Sequence, residues 1–255
     1  MTSTVLVEIA DGVAVLTLNR PEVRNALNAR VLDELRGALD ELRADEHAGA
    51  VVFTGAGGRA FAAGADIAQL RDYTVHTGLA ADMQRLYDEI EAFEKPTIAA
   101  INGYALGGGC ELAMACDIRI ACPAAKLGLP ETMLSVLPGA GGTQRLARLA
   151  GVGRAIELIL TGRLVSAEEA REIGLVTAVA DDPVVAAHDT ARQILARGPL
   201  AVRLAKLVVR TGIDTDQRTG LVVERLAQAL LYTSDDKREG AEAFLAKRPA
   251  TFTGN

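Results

Sequence analysis

An α/β fold follows from three features of the sequence: short apolar runs that read as strands, two Gly-rich turns each linking a strand to a helix, and a helical pattern after about residue 190. The chain divides accordingly into a mixed core over residues 1–190, which carries the candidate site, and a helical region over residues 191–255. Its 255 residues, 49% of them hydrophobic, give ample material for a buried interior.

Val5 to Ile9 and Val13 to Leu18 predict a β-hairpin, with Asp11-Gly12 tolerating positive φ in the turn. From Asn28 to Arg43, Val31, Leu32, Leu35, Leu39 and Leu42 fall on one helical face. Ala50 to Thr54 reads as a buried strand, followed by the turn GAGGRAFAAGAD and a helix from Asp66 through Leu70. Ile98 to Asn102, the turn GYALGGG and a helix through Glu111 to Cys116 repeat that plan.

Ser166 and Glu169 form a capping-box pattern for a helix that stops at Gly174, before a strand from Leu175 to Ala180. Helices are then predicted over Ala191 to Ala196, Leu200 to Arg210 and Thr219 to Leu231. A last helix is capped near Thr233 or Ser234, carries Asp235 and Asp236 in its first turn, and is ended by Pro249. Phe252 lies in a short tail, where an apolar ring calls for docking, on a neighbouring subunit or a ligand.

Composition excludes several classes. A net charge of −6 argues against a protein dominated by nucleic-acid backbone contacts. No apolar run of about 18 residues is uninterrupted, so no membrane span is expected. The alternating start MTSTVLVEIADGV does not read as a secretory leader. Cys110, Cys116 and Cys122 match neither a metal pair nor a disulfide framework, and read as buried reduced thiols of a cytoplasmic protein. His47, His76 and His188 are scattered surface residues, so neither a metal site nor a catalytic triad is expected.

Two glutamates carry the chemistry: Glu111 in GYALGGGCELAM and Glu131 in KLGLPETMLSVLPGAGGTQRL each follow a turn offering free backbone N–H groups. Together they point to acid/base work on an acyl group. A carboxylate in the apolar helix CELAMAC is costly if buried unpaired, so Glu111 needs a reason to be there. The glycines either bring N–H groups close to a ligand oxygen or allow tight helix-to-strand packing. GAGGRA also matches a dinucleotide-binding pattern, weakly, because no acidic strand end follows at the right distance; PGAGGT lacks the Lys-Ser/Thr ending of a P-loop.

NRPEVRNAL, FAAGADI, KPTIAAINGYALGGGCELAMACD, LGLPE and LPGAGGTQRLARLAG, followed by ILTGRLVSAEEAREIGLV, resemble the enoyl-CoA hydratase (crotonase) family, in order over essentially the whole chain. The resemblance implies a spiral core of repeated ββα units with a C-terminal helical region that assembles a homotrimer or a dimer of trimers. It implies an acyl-CoA thioester as substrate, with no separate cofactor. By motif position, the N–H groups of Ala65 and Gly108 form an oxyanion hole, and Glu111 and Glu131 are the acid/base pair. Arg24, Ala26, Ala63, Asp66 and Ile67 occupy CoA-contacting positions, and Lys247 and Phe252 reach CoA in a neighbouring subunit. Asp66 also reads as a helix cap.

Both acids being present favours hydration of a trans-2-enoyl-CoA over double-bond isomerisation. Leu129 stands where many short-chain hydratases have Gln, as it does in some hydratases of dehydroadipyl-CoA, leaving acyl preference open. The acyl pocket is expected between Leu70 to Met83 and Met133 to Leu137. A crotonase-like binding protein, RNA-associated in some relatives, keeps the fold without the activity; the acidic balance and the two glutamates count against it.

Overall fold

The hairpin forms because Asp11 and Gly12 both adopt left-handed φ, 51° and 79°, the turn that matches strand twist. It joins β1 (Val5–Ala10) to β2 (Val13–Leu18) with Ala10 opposite Val13. The computed structural model describes residues 3–255, apart from the side chains of Ala68 and Leu70. Helix α1 (Ala29–Ala44) starts where the Asn28 side chain accepts from the Val31 N–H at 3.0 Å, and buries the five apolar residues its periodicity marked. At its other end the buried Lys95 ammonium donates to the Leu42 and Asp45 carbonyls, the charge a helix C-terminus favours.

The core then repeats one plan. β3 (Ala50–Gly55) is followed by β4 (Ala60–Ala62), and by α2 (Ile67–Leu70), α3 (Val75–Ala80) and α4 (Asp82–Glu91). β5 (Thr97–Ile101) is followed by β6 (Tyr104–Leu106) and α5 (Gly108–Ala115). β7 (Ile118–Ala121) is followed by β8 (Lys126–Gly128), a 3-10 turn over Pro130–Leu134, α6 (Gly142–Ala150) and α7 (Val152–Thr161). The first strand of each unit enters a six-stranded sheet in the order β1-β2-β3-β5-β7-β10, parallel from β2 onward. The second enters a four-stranded sheet, β4-β6-β8-β9.

The chain closes this core with β9 (Val165–Ser166), α8 (Ala167–Glu172) and β10 (Ala178–Val179). Four elements differ from the sequence expectation here. The Gly-rich turns GAGGRAFAAGAD and GYALGGG each contain a strand, β4 and β6, of three residues, less than two full alternations and fixed by pairing with each other. The expected strand from Leu175 shrinks to two residues because the Leu175 and Val176 N–H groups close α8 by donating to the Ala170 carbonyl. Ser166 caps α8 through the Glu169 N–H, but the Glu169 carboxylate turns outward to Arg163 instead of completing the box.

Helix α9 (Pro183–Leu195) begins earlier than the predicted Ala191 because Asp182 caps it and Pro183 suits its first turn. It spans residue 190 and lays Ala187 and Ala191 on the large sheet against Val52, Ile98 and Ile120. The opposite face of that sheet carries the main core with α1, α4 and α5, so the parallel strands are covered on both sides.

α10 (Pro199–Asp214) and α11 (Gln217–Leu231) form a helical pair that closes tightly at Gly212 and Gly220. Leu207, Val209, Ile213, Leu221, Leu226 and Leu230 remain exposed on them. α12 (Asp235–Ala246) is capped by Ser234 and ends at a left-handed Lys247, ahead of Pro249. The tail folds back: Asp236 accepts from the Thr253 and Gly254 N–H groups, and the Phe252 ring lies over Gly240 of its own chain. Among the described residues no helix is long and apolar enough to cross a membrane.

Removing the α1 cap with Asn28→Ala is expected to lower stability by about 1 kcal/mol, read as a fall in urea midpoint at unchanged slope.

Candidate active site

Glu111 sits in the first turn of α5, a helix with no exposed residue, and is itself only 2% exposed. Its burial is answered by the turn before α6. The Ala140 and Gly142 N–H groups both donate to Glu111 Oε1 at 2.8 Å. Gly142 has to be glycine, since a Cβ there would lie 2.8 Å from that oxygen. Burial pushes the Glu111 carboxyl above its ordinary range, and the two N–H bonds and the Arg145 guanidinium pull against it.

Glu131 enters from the 3-10 turn that follows β8, and meets a different environment. Among the described residues its buried Oε2 has no hydrogen-bond partner. Oε1 lies 3.0 Å from where a Cβ on Gly107 would be, so the bare Gly107 leaves the carboxylate room beside the start of α5. Burial, with the Glu111 charge adding to it, raises the Glu131 carboxyl to about 7. Leu129, the departure noted in the sequence, is 1% exposed and offers no polar group to oppose that rise.

The two expected N–H donors lie on adjoining loops. A Cβ on Gly108 would stand 3.5 Å from the Ala65 nitrogen, and one on Gly64 would stand 3.5 Å from the Gly108 nitrogen. Around Ala65, the Leu27 N–H donates to the Gly64 carbonyl at 2.8 Å and the Asp66 N–H to the Leu27 carbonyl at 2.9 Å. That bridge holds the loop on both sides of Ala65 and does not use the Ala65 N–H. Gly108 opens α5, so its N–H belongs to the first turn, where helical donors lack intrahelical acceptors. The buried Tyr87 hydroxyl donates to the Gly108 carbonyl at 2.7 Å and fixes that turn. The packing reading of the glycines holds at Gly109, which is bare because a Cβ would strike the Ala62 carbonyl of β4 at 2.1 Å.

The remaining candidates gather along one edge of these loops. The Arg24 carbonyl accepts from the Ala63 N–H at 3.0 Å, and the Arg24 side chain is exposed. The Ala26 carbonyl accepts from Arg20, which also pairs with Asp66 at 3.6 Å, and Ile67 is exposed at the start of α2. Of the expected acyl-pocket walls, Met83 stands beside Gly108, Met133 to Leu137 are exposed, and the Leu70 side chain lies outside the described residues. Cys110 and Cys116 are buried free thiols, both pushed up to about 12 by burial. Among the described residues no group of His, Cys, Asp and Glu is placed to hold a metal ion.

Sequence reasoning passed over three residues that build this site. Asn25 is buried with φ of 57°, accepts from the Arg20 N–H, and donates to the Ala56 and Ala60 carbonyls, tying the Arg24 loop to β4. Tyr87 holds Gly108, and Arg145 lies buried behind the Glu111 turn. The available signal for Arg145 was a charge on the apolar face of α6, beside Leu146.

Comparison with known proteins follows the same geometry. A family model described as enoyl-CoA hydratase/isomerase matches residues 8–255. The chain belongs to this family. YngF of Bacillus subtilis is 47% identical over 96% of this chain and 95% of its own length. Crotonyl-CoA hydratase of Syntrophomonas wolfei is 43% identical over 97% of each chain. The crystal structure of enoyl-CoA hydratase from Bacillus anthracis matches with a TM-score of 0.95 at 42% identity, covering 99% of this chain and 100% of that one. The ββα spiral with its C-terminal helices is therefore the crotonase fold, and the protein is an enzyme of the enoyl-CoA hydratase/isomerase family.

Two outcomes test the site. A carboxyl at about 7 in the folded chain and near 4.5 when unfolded contributes stability below about pH 4.5 that is lost as pH rises through 7. Glu131→Gln is thus expected to melt increasingly above the wild type between those pH values, checked by parallel thermal scans. Gly142→Ala is expected to displace Glu111 and abolish most turnover with the fold retained, checked by kinetics beside circular dichroism.

Proposed function

We propose that this enzyme adds water to a trans-2-enoyl-CoA to give the 3-hydroxyacyl-CoA. The observation that carries the reading is the pair of carboxylates in opposite settings beside two backbone donors: Glu111 gripped by two N–H groups, Glu131 raised to about 7. The thioester oxygen binds the Ala65 and Gly108 N–H groups, which draws electrons from the β-carbon and stabilises the enolate that forms; one such donor is worth about 10²–10³-fold in rate. Water lies between the carboxylates. Glu111 takes a proton from it as the oxygen bonds to the β-carbon, and protonated Glu131 delivers a proton to the α-carbon. Because the two acids are coupled, the pH profile belongs to the pair.

The name of the Syntrophomonas wolfei relative, crotonyl-CoA hydratase, supports a short unsaturated acyl group as the first substrate to try. Hydration is redox-neutral, so the reading needs no cofactor beyond the CoA thioester itself. Arg24, Ala26, Ala63, Asp66 and Ile67 supply the CoA edge in this scheme. The apolar faces of α10 and α11 fit burial in a homotrimer or a dimer of trimers, and a cytoplasmic location suits the free thiols.

Purified protein is expected to bleach the ultraviolet absorbance of crotonyl-CoA. Glu111→Gln and Glu131→Gln should each lower kcat by about 10²–10⁴-fold with little change in KM. Near-normal turnover in either variant would remove the pair from the mechanism. Conversion of a 3-enoyl-CoA with no hydration of crotonyl-CoA would assign the isomerase side of the family instead.

A further inference from the structure

We propose that Arg145 is a positioning residue for Glu111, acting through the Ala140–Gly142 turn, and that ion pairs reaching back to α10 hold it in place. The proposal rests on the hydratase reading. Arg145 projects from α6 and is 7% exposed. A guanidinium this buried requires partners for every edge of its fork. Nε and Nη2 donate to Glu91 Oε2 at 2.9 and 2.6 Å, Nη2 also donates to Asp88 Oδ1 at 2.7 Å, and Nη1 donates to the Ala140 carbonyl at 2.9 Å.

The last of these bonds carries the argument. Ala140 gives its carbonyl to Arg145 and its N–H to Glu111, so one residue joins the guanidinium to the carboxylate. Gly141, with φ of 98°, packs against the same group: a Cβ there would fall 2.1 Å from Nη1. Gly142 then supplies the second N–H to Glu111. The turn that fixes Glu111 is thus itself moulded on Arg145. An ion pair serving only to fasten α6 to α4 would need Asp88 and Glu91 but not the bond to Ala140.

Behind Arg145 the contacts continue. Glu91 Oε1 accepts from Arg210 of α10, Arg210 also donates to Asp117 Oδ1 at 3.0 Å, and Lys206 of α10 pairs with Asp117 Oδ2 at 2.7 Å. Asp117 in turn accepts from the Thr97 N–H at the start of β5. Helix α10 is therefore connected to the Glu111 turn through α4. The charged and titratable groups that face Glu111 are Arg145 from α6, Tyr87 from α4, Glu131 from the 3-10 turn and Cys110 from α5 itself. Arg145 is the cation among them, and it opposes the upward push of burial on Glu111.

The test uses the full-length protein with Arg145→Gln and Arg145→Lys, comparing kcat, KM and the pH profile on crotonyl-CoA with amide hydrogen exchange. Arg145→Gln is expected to lower kcat on the order of 10²-fold with KM nearly unchanged, and to move the acidic limb of the profile to higher pH. Arg145→Lys should return that limb toward its place without restoring kcat, because an ammonium cannot span three acceptors. The Ala140 and Gly142 amides should exchange faster in both variants while those of β3 and β5 stay protected. Unaltered kcat, limb and exchange in Arg145→Gln would overturn the proposal. If that variant fails to fold, Glu91→Gln takes its place: a severalfold fall in kcat at constant KM supports the coupling, and wild-type kinetics overturns it. Should the wild type leave crotonyl-CoA untouched, the hydratase reading fails separately, and exchange at Ala140 and Gly142 alone decides whether Arg145 holds the turn.

Discussion

Two N–H groups on one buried carboxylate oxygen set the terms for the rest of this molecule. Glu111 lies on a helix with no exposed residue, where an unpartnered charge would be expelled or neutralised. The Ala140 and Gly142 donors keep it in place, and they impose their own conditions: a bare Cα at Gly142, a left-handed Gly141 and a guanidinium behind the turn. The spiral brings these pieces together from distant parts of the chain. α5 belongs to one ββα unit and the gripping turn to the next, so the site exists only once consecutive units have stacked.

Two carboxylates close enough to feel each other's charge are useful as a pair only if they behave differently. Here the difference comes chiefly from the backbone, with the Arg145 guanidinium behind the turn adding to it at Glu111. Glu111 has two N–H donors, while Glu131 has a buried oxygen with none and Leu129 for a neighbour in sequence. Like charges in a shared low-dielectric space push the less supported group toward its neutral form. The acid and base roles proposed above follow from which carboxylate the turn reaches.

Much of the framework was legible from local pattern. The hairpin announced itself through Asp11-Gly12, α1 through five apolar residues at helical spacing, and α12 through Ser234 with two following aspartates. Glu111 stood out as a charge in an apolar helix, and Glu131 as a second acid near a Gly-rich turn. What stayed hidden is non-local. β4 and β6 are too short to show a period and exist because they pair with each other. The early start of α9 did leave a signal in Asp182-Pro183, overlooked because apolar residues run on either side of it. Arg145 shows in the sequence only as a charge on an apolar helix face, and its role is non-local because its partners come from α4 and from a carbonyl five residues before it.

The links between paired strands have a wider consequence. β5 and β6 are separated only by Asn102 and Gly103; Asn102 is bonded to the Gly55 carbonyl, and a Cβ on Gly103 would strike the Arg59 carbonyl at 2.3 Å. An insertion there would throw both sheets out of register at once, so this part of the chain has no freedom to drift. The segments α2 and α3, past the bridged Ala65 loop, and the exposed run from Met133 to Leu137 lie outside these strand links. On the hydratase reading these two segments wall the acyl group, so changes of substrate range can accumulate there while the catalytic frame is inherited intact, which makes the architecture readily evolvable in what it accepts and conservative in how it works.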